Sequence, residues 1–162
     1  MSLQFQAEHF YNAYELLRAN NEALINRLEN SSSAPSPEKV LGVRPTMGVD
    51  IVCLAFSVEL YIKDVHLALT GKKIRGHDIL KLFEKLPDNV QREIFSHRSI
   101  AHYGWNFEEF KLEMKAISKG FEKWRYSHEH TNVRYNLYFA FIFIEALIFI
   151  ADVIRKKNAS KP

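Results

Sequence analysis

Residues 121–130 read FEKWRYSHEH, and they gather Arg125, Tyr126, His128, Glu129 and His130 into one short run. Four residues separate Arg125 from His130. RNA cleavage without a metal needs a base for the 2′-hydroxyl proton and a cation for the charged phosphorane. An imidazole exchanges protons near neutral pH, and a guanidinium carries a permanent forked charge. If the segment is helical, this spacing sets Arg125 and His130 on one face, whereas His128 points elsewhere. A structural reading accounts for the same arginine. Glu59 stands between Val58 and Leu60 in a strongly apolar stretch. A carboxylate buried there needs a partner, and a bidentate arginine is a common one. Glu129 can share that arginine. Glu59, Arg125 and Glu129 would then form a polar core, with His130 an ordinary surface residue.

A second basic cluster, Lys72, Lys73, Arg75 and His77, lies in "GKKIRGHD" (71–78). It suits a phosphate or RNA backbone, and a solvated turn explains it as well. His77 could meet phosphate or fix the turn through the backbone, since Gly76 and Asp78 already describe a tight helix entry. The seven histidines come with no cysteine pair and no His-Glu-x-x-His spacing, so no metal site is expected. "TGKK" lacks the spacing of a phosphate-binding P-loop, and no cofactor is expected. Cys53, the single cysteine, reads as a buried thiol and excludes an internal disulfide.

The elements that must position these groups are helical. Residues 3–29 carry Leu3, Ala7, Phe10, Tyr14, Leu17, Leu24 and Leu28 as one apolar stripe. "NSSSAPSPEK" (30–39) cannot continue that helix, and 30–46 reads as a flexible loop. Residues 47–70 are apolar on nearly every side and predict a helix packed by several neighbours. "GKKIR" reads as a short basic turn. A helix follows over 76–86 with Asp78 as its cap, then a short one to about 97 with Asp88 as cap and Gln91 three residues on. "SIAHYGWN" (99–106) reads as a loop. Asn106 with Glu109 predicts the cap of a helix over 107–123, and Thr131 or Asn132 that of a last helix over 133–157. The fold class is therefore all-α: an up-down bundle of about four long helices with one or two short inserted ones, forming a single domain over 1–162 with a tail at 158–162.

A net charge of +3 permits an anionic partner without demanding one. The absence of a basic-then-apolar leader and the lone cysteine point to the cytoplasm. The apolar run at 137–151 is fifteen residues long and contains Glu145, too short for a roughly 30 Å bilayer core, so no membrane span is expected. Its Phe139, Ile142, Phe143, Ala146, Leu147 and Ile150 form one face, with Phe141, Ile144 and Ile148 elsewhere. That surplus predicts a second partner, either another copy in a homodimer or a cognate protein.

The order of segments carries a resemblance. Ser57, Glu59, Leu60, Lys63, Gly71, Arg75, Gly76, His77 and Asp78, followed by Trp124, Arg125, Tyr126 and Glu129, resemble a subset of HEPN domains, the nucleotide-binding helical domains of prokaryotes and higher eukaryotes. The likeness covers about residues 47–155. It implies a helical module linked to RNA or nucleotides, regulatory or non-catalytic, in a toxin–antitoxin or defence setting. Active members of the wider family are dimeric, metal-independent ribonucleases with an arginine and histidine spaced as Arg125 and His130 are. Tyr126 departs from them, since a small polar residue usually follows the arginine. A plain helical adaptor that binds a protein through its apolar face is the third expectation.

Overall fold

The computed structural model describes residues 2–29, 48–125 and 136–160; the side chains of Leu24, Arg27–Glu29 and Lys119–Arg125 lie outside the description. Every regular element among these residues is a helix. We number them α1 (Leu3–Glu29), α2 (Val49–Thr70), α3 (Ile79–Glu84), α4 (Asp88–Phe95), α5 (Arg98–Ala101), α6 (Phe107–Arg125) and α7 (Leu137–Ala159).

The four long helices run up and down, with α2 against the other three. The Ser57 hydroxyl donates to the Ala7 carbonyl at 3.0 Å, and Arg18 lies 3.9 Å from Asp50, so α1 descends as α2 rises. On α7, Leu137 and Ala140 sit by Ile51 and Leu54, while Asn158 donates to the Ala68 carbonyl at 3.0 Å; this helix is parallel to α2. Helix α6 opposes both, with Ile117 near Ile51 and Phe110 packed on Phe139 and Phe143. The insertion between α2 and α6 holds three short helices, because residues expected as a loop include α5. There the His97 side chain caps the helix, accepting from the Ser99 amide.

Capping chemistry sets several of the boundaries. Asn106 accepts from the Glu108 and Glu109 amides at 3.0 Å, and Glu109 returns to the Asn106 amide at 2.9 Å, a complete capping box. Asp78 caps α3 through the Lys81 amide at 3.1 Å. Two expectations are corrected. Pro87, not Asp88, stands at the cap of α4, and the Gln91 side chain turns back to the Leu86 carbonyl at 2.8 Å. Helix α7 begins at Leu137 with the Asn136 side chain accepting from the Phe139 amide at 3.1 Å. Thr131, Asn132 and the 30–46 loop lie outside the described residues.

Where α3, α6 and α7 meet, Phe83, Phe110, Phe139 and Phe143 are fully buried with ring centroids 5.4 to 6.1 Å apart. Such pairs add about 0.5–1.5 kcal/mol each beyond the burial of their area. Helix α7 is longer than the apolar run suggested. It has 23 residues, and its most apolar 18-residue stretch, with a mean hydropathy of 2.4, meets the length and composition of a membrane span. Burial within the fold explains much of that apolarity: Ile144 is buried too, and Phe141 packs against Tyr11 and Tyr14 of α1. Tyr138 and Phe149 stay about half exposed.

Candidate functional site

Helix α2, expected to be apolar on nearly every side, buries five polar side chains that reach out to its surroundings. Ser57 ties α1. Asp50 accepts from the Gly48 amide at 2.8 Å and faces Arg18. Asp64 holds Arg155 of α7 at 2.5 Å. His66 shares a 2.8 Å hydrogen bond with the Leu82 carbonyl at the end of α3. Glu59, only 6% exposed, accepts from Lys63 Nζ at 2.6 Å and from His77 Nδ1 at 3.1 Å. Burying each group without a partner would cost several kcal/mol in an apolar medium, which accounts for the pairing. The sequence holds the signal for all five: polar residues interrupting an apolar helix require partners.

The Glu59–His77 contact redefines the basic "turn". Gly71 lies twelve positions beyond Glu59 along the helix, about 18 Å at 1.5 Å per residue. Six residues of chain can span up to about 20 Å, so the segment from Gly71 to His77, bent at Gly71 and Lys72, is long enough to return along α2 until the His77 and Glu59 side chains meet. It is a strap. Gly71, with φ 69°, starts the reversal, and its amide bonds to the Leu67 carbonyl at 2.8 Å. Half-buried Ile74 presses the middle of the strap onto the bundle, while Lys72, Lys73 and Arg75 are exposed. Gly76, at φ 121°, turns the chain so that His77 comes over Glu59. A side chain added there would meet only Leu82 Cδ2 at 3.8 Å, so the backbone angle, not crowding, requires glycine.

Structurally, His77 fixes the strap through a buried carboxylate and not through backbone. Lys72, Lys73 and Arg75 form no ion pair with any described residue. Asp78 continues the anchorage, because the Ser118 hydroxyl of α6 lies 3.5 Å from its carboxylate and accepts from the Ile79 amide at 2.8 Å. Arg125 follows Ser118 by seven residues, about two turns, toward the end of the bundle where α2 begins. Its backbone closes α6. The Arg125 side chain, Glu129 and His130 lie outside the described residues, so neither the Glu59–Arg125 pair nor the Arg125–His130 arrangement has geometry here. The described partners of Glu59 are Lys63 and His77.

Elsewhere, α4, α5 and α7 border a groove of about 770 Å³. In it the His97 ring lies 5.0 Å from that of Phe149, and Arg98 faces Glu145 at 3.9 Å. Among the described residues, no group of three or more His, Cys, Asp or Glu side chains is placed to hold a metal ion. No family model, curated protein or solved structure matches this chain.

Proposed function

We propose that this chain is a non-catalytic, HEPN-like helical module that engages RNA through the strap at 71–77. One observation carries the reading: Lys72, Lys73 and Arg75 are exposed on a segment anchored at His77 and have no acidic partner among the described residues. Cations ordered by a scaffold and left unneutralised suit a polyanion, whose condensed counterions they release on binding. The open surface favours binding over catalysis. The His77 side chain is 84% exposed, and nothing described there excludes water from a reacting phosphate. The resemblance of the 57–78 and 124–129 segments to HEPN domains supports RNA as the polyanion and a toxin–antitoxin or defence system as the setting.

Fluorescence anisotropy with a labelled single-stranded RNA tests the reading. The wild type binds, and reversing the three charges (K72E/K73E/R75E) removes binding while the thermal midpoint stays within a few degrees. Equal affinity for both proteins would rule out the strap as the RNA surface.

A further inference from the structure

The Glu59 contact accounts for only half of the His77 imidazole. Nδ1 lies 3.1 and 3.3 Å from the two carboxylate oxygens, and an ionised carboxylate only accepts, so Nδ1 carries the donated hydrogen. That leaves Nε2 on the far side of the ring. It makes no hydrogen bond to any described residue, and the side chain is 84% exposed. Lys63, at 2.6 Å, balances the charge of Glu59 within the bundle. A proton added at Nε2 would therefore contribute a net positive charge beside Lys72, Lys73 and Arg75. A neutral imidazole held by its Nδ1–H presents a lone pair outward and repels phosphate oxygens; a protonated one presents an N–H donor.

We propose that Nε2 of His77, with the neighbouring strap cations, is a binding site for a phosphate group, and that phosphate enters together with a proton on His77. The inference rests on the strap as the RNA surface and adds which atom grips a phosphate and how pH controls the grip. The charged groups around the imidazole are consistent with it. Glu59 and Lys63 face it from α2, Arg75 and Asp78 flank it in the chain, and Lys81 of α3 lies 3.9 Å from Asp78. Helix α6 contributes the neutral hydroxyl of Ser118 to Asp78. Of the two carboxylates, Glu59 is matched by Lys63, and Asp78 is engaged by Lys81 and the Lys81 amide.

The test is RNA affinity across about pH 5 to 8, the range in which imidazoles change charge, for the wild type and His77→Gln. Glutamine keeps a donor for Glu59 but cannot take up the proton. In parallel, inorganic phosphate is titrated against the His77 imidazole resonances. One linked proton weakens wild-type binding by up to about tenfold per pH unit as pH rises. We expect that dependence, its loss in His77→Gln, and a phosphate-induced shift of the Nε2 resonance at low pH. RNA binding that is equally pH-independent in both proteins overturns the His77 site and leaves the strap reading standing. A phosphate response at His77 with no RNA binding overturns the RNA reading and keeps the site. Absence of both removes both. Comparing 5′-phosphorylated with 5′-hydroxyl RNA distinguishes the sources: a gain from the added phosphate indicates a terminal monoester, and equal affinity indicates a backbone phosphodiester.

Discussion

Replacing His77 with alanine removes the hydrogen bond that closes the strap onto Glu59 while leaving Lys63 to neutralise the buried carboxylate. A hydrogen bond to a charged group contributes about 1.5–3 kcal/mol when well sheltered, but exposed pairs contribute about 0–1 kcal/mol. His77 is mostly exposed and Glu59 buried, so a contribution of about 1 kcal/mol is expected. Such a change raises the population with the strap open roughly fivefold, since 1.4 kcal/mol corresponds to tenfold. Trypsin reads that population directly, because Lys72, Lys73 and Arg75 are its targets and lie within the strap. When reclosing outpaces cleavage, the rate of nicking follows the open population. The variant should be cut within 72–75 roughly five times faster, while its thermal midpoint falls by only about 2–4 °C. Identical nicking rates would mean that the Glu59 contact does not hold the strap. A midpoint lowered by more than about 10 °C would mean that His77 supports the core as a whole.

Three further outcomes follow from the structure. Arg155→Ala leaves the buried Asp64 carboxylate without its cation; breaking such a pair costs about 3 kcal/mol, measurable by urea denaturation, and Asp64→Asn in the same chain should recover part of it. Burial, with Glu8 and Asp64 nearby, pushes the Tyr61 phenol up to about 12. A phenol that ionises less readily in the folded state gives stability that is complete below its unfolded value near 10. That stability is lost as pH rises through about 12, so alkaline unfolding should be shallower in Tyr61→Phe, as circular dichroism across that range would record. In EDTA, RNA incubated with the protein should remain intact by gel, and His130→Ala should behave like the wild type. Cleavage by the wild type that disappears in both His130→Ala and Arg125→Ala would instead make the protein a nuclease.

The fold is legible because periodic apolar stripes and capping residues act locally. Asp78, Asn106 and Glu109 mark helix starts that depend on a few adjacent amides. Asn136 does not stand out beside Thr131 and Asn132, since several polar residues in that stretch could cap a helix and sequence alone does not rank them. The strap is not legible. "GKKIRGH" fits a short turn by composition, and only the meeting of His77 with Glu59, eighteen positions earlier, makes it a segment that returns along α2. The same holds for Asp64 with Arg155 and His66 with Leu82, whose partners come from other elements. Phe141 and Ile144 look surplus in the sequence because their cover comes from packing between helices, which one helix's pattern does not contain.

The most direct measurement of the central claim is the salt dependence of single-stranded RNA binding by the wild type and K72A/K73A/R75A. Each phosphate of a single strand that is no longer neutralised reduces the slope of log K against log salt by about 0.7, so removing three cations reduces it by roughly 2. A slope shallower by about that amount, with affinity reduced most at low salt, is the predicted result. Wild-type binding whose slope and affinity survive the triple substitution would contradict the account and move the RNA surface off the strap.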